Sequence, residues 1–290
     1  MINTDFLRHL DRLSLIINKR VTSNYTGERK TSYTGQGLVF KDYTIYTPGE
    51  DLRAVDWKVY GRTEKLFIKR FEEERNLTVH VIVDFSASMN FKSKQLKKSE
   101  YASMFGIGIA YMALKNNERF VLSTFAEKLN VFRPKKGKRQ LMFLLQHLNE
   151  QQPKGVSNFE ISLAKYKSLI NSKSFVAIIS DFLYDVNQIK SVLYRLKNQQ
   201  VKLIQILDPL EAELNMEGDY KLRDLESEEQ VRTYVSPYLR KNYLEKLNSH
   251  SAEIKKVCAE TGAQFYSFST ETPIFDAFYQ VFSHEHAHMG

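Results

Sequence analysis

The chain has 290 residues, of which 42% are hydrophobic and 26% are charged, and its formal net charge is +8 at pH 7. It contains no run of about 18 apolar residues, so no transmembrane helix is expected, and its start does not resemble a secretory signal. The single cysteine, Cys258, excludes an internal disulfide and a thiolate-rich zinc site. We therefore expect a cytoplasmic protein whose positive charge suits acidic partners, nucleic acid or an anionic membrane surface, without choosing among them.

Residues 1–24 are predicted to form an amphipathic helix. Apolar side chains recur there at helical spacing, namely Phe6, Leu10, Leu13, Ile16 and Ile17. The favoured interpretation is that this apolar stripe docks on the folded domain. A helix lying on a membrane surface is the alternative.

Residues 25–76 are predicted to form a small β-rich subdomain. A stretch rich in Gly, Ser and Thr is followed by residues of extended character, with a turn signal at residues 47–51. We expect Trp57 to be buried beside an ion pair of Arg53 and Asp56, which would hold the subdomain in place. A surface for docking a partner is the alternative for these three residues.

Residues 77–283 are predicted to form an α/β domain. Strands are predicted at residues 79–84, 119–125, 174–180, 201–207 and 264–268, and helices at 99–115, 139–148, 159–170, 186–198, 237–261 and 273–282. This alternation favours a mostly parallel sheet with helices on both faces. Residues near 217–236 interrupt it and are predicted to form a hairpin insertion. Residues 284–290 form a tail whose histidines suit a transition metal, although a frayed end is the favoured interpretation.

An Asp-x-Ser-x-Ser motif stands where the first strand of this domain ends. The apolar residues 79–83 lead to Asp84, and Ser86 and Ser88 follow at alternate positions. Side chains two residues apart in an extended segment point the same way, so both hydroxyls can face one ligand. A strand-end carboxylate followed by turn-forming serines is the structural alternative.

Two later segments are expected to meet this motif at one edge of the sheet. Ser157 lies in a loop directly before a helix, where it could also be the N-cap, and Asp181 follows a buried strand. Ligands of open α/β sheets bind at the carboxyl ends of strands. Oxygen donors alone predict Mg2+, or Mn2+ or Ca2+, with the three hydroxyls as direct ligands and the two carboxylates acting through bound water. One metal position then remains open to a carboxylate from a partner.

These features carry a resemblance to a known family. The motif, the later hydroxyl loop and the later strand-end Asp resemble the metal-ion-dependent adhesion site of von Willebrand factor type A domains. The blocks at residues 46–57, 69–75 and 208–211 resemble a widespread bacterial family of uncharacterised function that carries such a domain. The resemblance spans residues 35–268. It implies a von Willebrand factor type A-like, Rossmann-like sheet and a partner or adaptor of MoxR-type AAA+ ATPases in protein assembly or maturation.

The chain departs from that family in two places. The hydroxyl loop usually reads Gly-Gly-Thr, whereas here it is Gly155-Val156-Ser157. Serine can replace threonine as an oxygen ligand, but the loop loses the conformational freedom of one glycine. Longer relatives carry transmembrane helices ahead of the block, and none is predicted here.

Two other functions remain open from the sequence. A phosphohydrolase would use Asp84 as its nucleophile, but the haloacid-dehalogenase pattern places a second Asp where Ser86 stands, so no catalytic constellation is recognised and an enzyme is not expected. A metal-independent scaffold would bind nucleic acid or anionic lipid through the basic residues 133–139, to which Lys92, Lys94, Lys97 and Lys98 add charge. No nucleic-acid motif accompanies them, so a solvated loop is favoured and nucleic acid is not an expected partner.

Overall fold

The computed structural model describes residues 38–73, 78–170, 172–226 and 229–283. The predicted N-terminal helix at 1–24 and the histidine-containing tail at 284–290 lie outside these ranges. The described residues divide into two compact units, a smaller one with residues 38–73 and a larger one with the described residues from Thr78 onward. Within the described residues, no helix has the length and apolar character needed to cross a membrane.

The smaller unit contains an antiparallel pair of strands, β1 (Leu38–Ile45) and β2 (Phe67–Glu73). Between them lies a helix that the sequence analysis did not predict, α1 (Trp57–Thr63). Asp56 starts this helix because its carboxylate accepts a hydrogen bond from the Lys58 amide at 3.0 Å. The extended character expected for residues 38–75 is therefore confirmed at β1 and β2 and wrong at α1.

The predicted environment of the tryptophan is also wrong. Trp57 is 59% exposed, and the cation beside Asp56 is Lys69, not Arg53. The Lys69 ammonium lies 2.9 Å from Asp56 Oδ2, and the Tyr43 hydroxyl donates to the same oxygen at 2.8 Å. These two hydrogen bonds lower the pKa of Asp56 to about 2. The buried group of this cluster is the carboxylate and not the indole.

The larger unit is built on a six-stranded sheet. Its strands are β3 (Thr78–Asp84), β4 (Arg119–Phe125), β5 (Leu129–Asn130), β6 (Ser174–Ser180), β7 (Gln200–Leu207) and β10 (Gln264–Ser269). They lie in the order β10-β7-β6-β3-β4-β5, and all neighbours are parallel except the short edge strand β5. Val81 at the centre lies opposite Leu122 of β4 and Ala177 of β6. The predicted mostly parallel sheet is confirmed.

Seven helices belong to the described part of the larger unit. They are α2 (Lys98–Lys115), α3 (Lys138–Glu150), α4 (Phe159–Lys167), α5 (Val186–Leu196), α6 (Pro209–Glu213), α7 (Pro237–Thr261) and α8 (Ile274–Ser283). Alternate residues of β3 face opposite layers: Ile82 joins a core with α4, α5 and α7, whereas Val81 and Val83 approach Gly106 of α2. Helices α3 and α8 pack beside α2. Both faces of the sheet are therefore covered by helices, as predicted.

An antiparallel hairpin follows α6. Its strands are β8 (Gly218–Arg223) and β9 (Gln230–Val235), with Leu222 opposite Val231. The carboxylate of Glu226, near its tip, accepts a hydrogen bond from the Ser157 amide at 3.3 Å. The hairpin thereby reaches the loop in which a candidate ligand lies.

Candidate metal centre

The candidate residues lie at the carboxyl edge of the sheet. Asp84 is the last residue of β3, and the chain then forms a short 3-10 turn over Ala87–Asn90. The loop before α4 is tied to this turn, because the Ala87 amide donates to the Gly155 carbonyl at 2.9 Å and the Lys154 amide donates to the Phe85 carbonyl at 2.9 Å. Two segments that are distant in sequence therefore share backbone hydrogen bonds at this edge.

The first part of the site is a chain of hydroxyls that ends on a carboxylate. The hydroxyl oxygens of Ser86 and Ser88 lie 3.1 Å apart, and Ser88 donates to Asp181 Oδ2 at 2.8 Å. A carboxylate only accepts, so the single Ser88 proton is used there and Ser86 must donate to Ser88. Both serine oxygens keep lone pairs for a further ligand.

The second part surrounds Asp84, which is fully buried. One carboxylate oxygen accepts from the Ser86 amide at 2.8 Å, and the other accepts from the Ser180 hydroxyl at 2.8 Å and from the Tyr184 hydroxyl. The Ser157 hydroxyl lies 2.9 Å from the Tyr184 oxygen and donates to it, because the tyrosine proton goes to Asp84.

All five residues predicted from the sequence are thus brought into one hydrogen-bonded network. Asp185, four residues after Asp181, instead caps α5.

Negative charge at this edge is incompletely balanced. Burial, and then repulsion from Asp181, raises the pKa of Asp84 to about 6. The donors around Asp84 are an amide and two hydroxyls, all neutral. Each lowers the pKa of Asp84 without offsetting burial. A cation bound at this edge of the sheet would favour the ionised carboxylate of Asp84.

The residues present fit a hard divalent cation. The donor set has three hydroxyl oxygens with available lone pairs and two carboxylates, and Mg2+, Mn2+ and Ca2+ prefer oxygen. No group of three His, Cys, Asp or Glu side chains suited to a metal occurs among the described residues. The site therefore depends on serine hydroxyls. The role of the five residues as ligands stays a prediction.

Two functional neighbours were missed by sequence reasoning. Tyr184 was not singled out, and Lys98 was counted with the exposed basic residues. Lys98 is instead fully buried, with its ammonium 3.0 Å from Asp181 Oδ2 and 2.7 Å from Glu211 Oε1. A signal did exist for Lys98, because it precedes the buried Ala102 and Phe105 at helical spacing and so lies on the inner face of α2.

The mostly parallel sheet, its helical layers on both faces and the loop at its carboxyl edge define an open α/β protein. The chain belongs to a particular family of this class, the protein family of unknown function DUF58, whose model matches residues 42–253.

Three similar proteins each match most of this chain. The uncharacterized protein Rv1480 of Mycobacterium tuberculosis is 24% identical over 266 residues, which are 90% of this chain and 84% of the relative. The structure of BatB from Bacteroides thetaiotaomicron is 16% identical with a TM-score of 0.44, and covers 71% of this chain and 97% of its own. The SpRpn10 VWA domain is 11% identical with a TM-score of 0.41, and covers 70% and 94%.

Proposed function

We propose that this chain is a protein-binding module that grips an acidic side chain of its partner through a divalent cation. Ser86, Ser88 and Ser157 would contact the cation directly, and Asp84 and Asp181 would hold its water ligands. The bound cation, Mg2+ or alternatively Mn2+ or Ca2+, would supply a Lewis-acidic contact for the partner's carboxylate.

The observation that carries this proposal is the direction of the protons in the network. Ser88 donates to Asp181, Ser86 donates to Ser88, and Ser157 donates to Tyr184. Each hydroxyl proton is therefore directed to an acceptor of the protein, and the oxygens are left to accept. A set of oxygens that can only accept suits a cation better than it suits an anion or a neutral donor-acceptor ligand.

The setting of Asp84 supports binding over catalysis. A phosphohydrolase nucleophile needs an oxygen that a substrate can reach. Asp84 has no exposed surface, and both of its oxygens accept hydrogen bonds from neighbouring groups. We therefore propose a module without enzymatic activity of its own.

The partner is proposed from the family resemblance. A MoxR-type AAA+ ATPase, or a client of such an ATPase, would supply the acidic side chain, and the pair would act in protein assembly or maturation. We place this activity in the cytoplasm, where an ATPase has access to ATP.

Calorimetric titration with MnCl2 and MgCl2 tests the metal step. The wild-type protein should bind one equivalent, and Ser88→Ala should weaken binding by about tenfold or more because a direct ligand is lost. Ser168→Ala is the matched control, since it removes an exposed hydroxyl that bonds only its own helix end. Absence of Mn2+ and Mg2+ binding by the wild type would overturn the proposal.

Co-purification tests the partner step. The ATPase should be retained in Mg2+ and released by EDTA, and Ser88→Ala should not retain it. Retention that survives EDTA and Ser88→Ala, but is lost when Lys135 and Lys138 are neutralised, would instead support the metal-independent basic scaffold.

A further inference from the structure

Lys98 is a fixed positive charge inside the candidate site. Lysine is almost never fully buried unless it is paired, and Lys98 is paired with two carboxylates, Asp181 and Glu211. Burial lowers the pKa of its ammonium, but attraction to Asp181 and Glu211 outweighs burial and the pKa is raised above its ordinary value. Lys98 also begins α2, where the helix dipole disfavours a cation. The two carboxylates therefore have to hold it.

The Lys98 ammonium is held in position by Glu211, which is itself held by Asp208. Glu211 binds Lys98 with one oxygen, and its other oxygen accepts from the Asp208 amide at 3.0 Å. The Asp208 carboxylate caps α6 by accepting from the Leu210 amide at 2.9 Å, and it also accepts from the Ser93 amide at 2.8 Å. Glu211 is thus held by a backbone hydrogen bond at one oxygen and contacts the Lys98 ammonium with the other.

The charges around Lys98 affect how strongly the site attracts a cation and an anion. Four carboxylates, Asp84, Asp181, Glu211 and Asp208, lie in this network, and a fifth, that of Glu226, accepts from the Ser157 amide. Lys98 offsets one of these charges, so the ionised site is negative even with Lys98 in place. Without Lys98 the site would carry one more negative charge, which would attract a cation more strongly and, once the cation is bound, would disfavour an incoming anion more strongly.

We propose that Lys98 is a specificity-determining residue: it weakens the intrinsic attraction for a divalent cation so that the loaded site can accept an anionic group. Glu211 is its positioning residue and acts in the opposite sense, because it adds negative charge and holds the ammonium in place. This inference rests on the proposed metal-dependent function, and it identifies the partner group as a carboxylate or another oxyanion.

Calorimetric titration with MnCl2 alone provides the first test. Lys98→Gln keeps a polar side chain but removes the charge, and it should bind Mn2+ about tenfold more tightly than the wild type. Glu211→Gln should bind more weakly by a similar factor. A purely structural role predicts weaker binding in both variants, so the opposite signs are diagnostic. Lys97→Met is the control, since its ammonium contacts Asn90 Oδ1 at 2.8 Å and no site carboxylate.

Sodium acetate provides the second test, as a minimal carboxylate. Its displacement of water from Mn2+ on the loaded protein can be followed by the relaxation of water protons. The wild type should require less acetate than Lys98→Gln by about tenfold. If Lys98→Gln does not fold, Lys98→Met replaces it with the same expected sign.

These experiments distinguish failure of the proposed metal-dependent function from failure of the proposed role of Lys98. Absence of Mn2+ binding by the wild type would overturn the proposed function itself. Binding by the wild type with unchanged or weaker binding by the Lys98 variants, or with unchanged acetate affinity, would overturn only the role of Lys98.

Discussion

The Tyr184 hydroxyl donates a hydrogen bond to the buried carboxylate of Asp84. The tyrosine ring is held for this contact by stacking on Phe159, with ring centroids 4.7 Å apart and an interplanar angle of 19°. The same hydroxyl oxygen lies 2.9 Å from the Ser157 hydroxyl. One phenol therefore links the end of β3 to the loop before α4.

Tyr184→Phe should destabilise the protein while leaving its packing intact. The phenylalanine ring keeps the stacking on Phe159, but Asp84 loses one donor and Ser157 loses its acceptor. Leaving buried polar groups less satisfied costs about 1–3 kcal/mol. Urea unfolding in EDTA measures this loss, with Tyr238→Phe, at a tyrosine that is 74% exposed, as the control. Equal stability of the two variants would show that the Tyr184 hydroxyl contributes nothing.

Acid should destabilise the fold through His80. This residue is buried in β3, its Nδ1 lies 2.9 Å from the Tyr166 hydroxyl, and burial lowers its pKa to about 4. The unfolded chain binds this proton below about pH 6.5, whereas the folded chain resists it down to about 4. The contribution of neutral His80 to stability is therefore complete above its pKa in the unfolded chain. It is lost as the pH falls toward its pKa in the folded protein.

A comparison of the wild type with His80→Gln separates the effect of His80 protonation from the effects of other titrating groups. The wild type should lose about 2 kcal/mol more unfolding free energy between pH 7 and pH 5 than His80→Gln, which cannot titrate. Urea unfolding at both pH values gives the difference. Parallel losses in the two proteins would place the acid sensitivity elsewhere.

The strand ends and the candidate ligands could be predicted because both follow from local patterns. Apolar runs that stop at Asp84 and Asp181 identify buried strands, and the carboxyl ends of parallel strands meet at one edge. Helical spacing places Lys98 on the inner face of α2, but its partners could not be predicted. It pairs with Glu211, 113 residues further along the chain, and no local pattern records such a pairing. The short helix α1 was missed because Val59, Gly61 and Thr63 are weak helix formers.

Gly108→Ala should be destabilising although alanine is the better helix former. A Cβ at this position of α2 would lie 2.0 Å from the nearest atom of the Phe278 ring. That ring is fully buried and stacked on Phe105 at 4.2 Å, so it has little room to move. Overpacking of this kind costs about 1–3 kcal/mol, which exceeds the gain of about 1 kcal/mol in helix propensity.

Thermal and urea unfolding of Gly108→Ala test this contact. Gly108→Ala should cost less in a Phe278→Leu background than in the wild type, because the smaller side chain makes room for the new methyl group. A single variant as stable as the wild type would mean that α2 and α8 can separate slightly without loss of packing energy.

The single tryptophan gives an optical test of the smaller unit. Trp57 is 59% exposed, and its ring meets Tyr60 edge-on with centroids 6.0 Å apart. Its fluorescence should therefore resemble that of an indole in water and should be quenched by both acrylamide and iodide. Trp57→Phe should change the unfolding free energy by no more than about 0.5 kcal/mol, as expected for an exposed side chain.

The opposite result has an equally definite meaning. Blue-shifted emission that resists iodide, together with a loss of more than about 1 kcal/mol in Trp57→Phe, would require a buried indole. The contrast with Asp56 sharpens the test, since Asp56 is 6% exposed and bonded to both Lys69 and Tyr43. Asp56→Ala should therefore destabilise this unit more than Trp57→Phe does, because it leaves the Lys69 ammonium without its carboxylate.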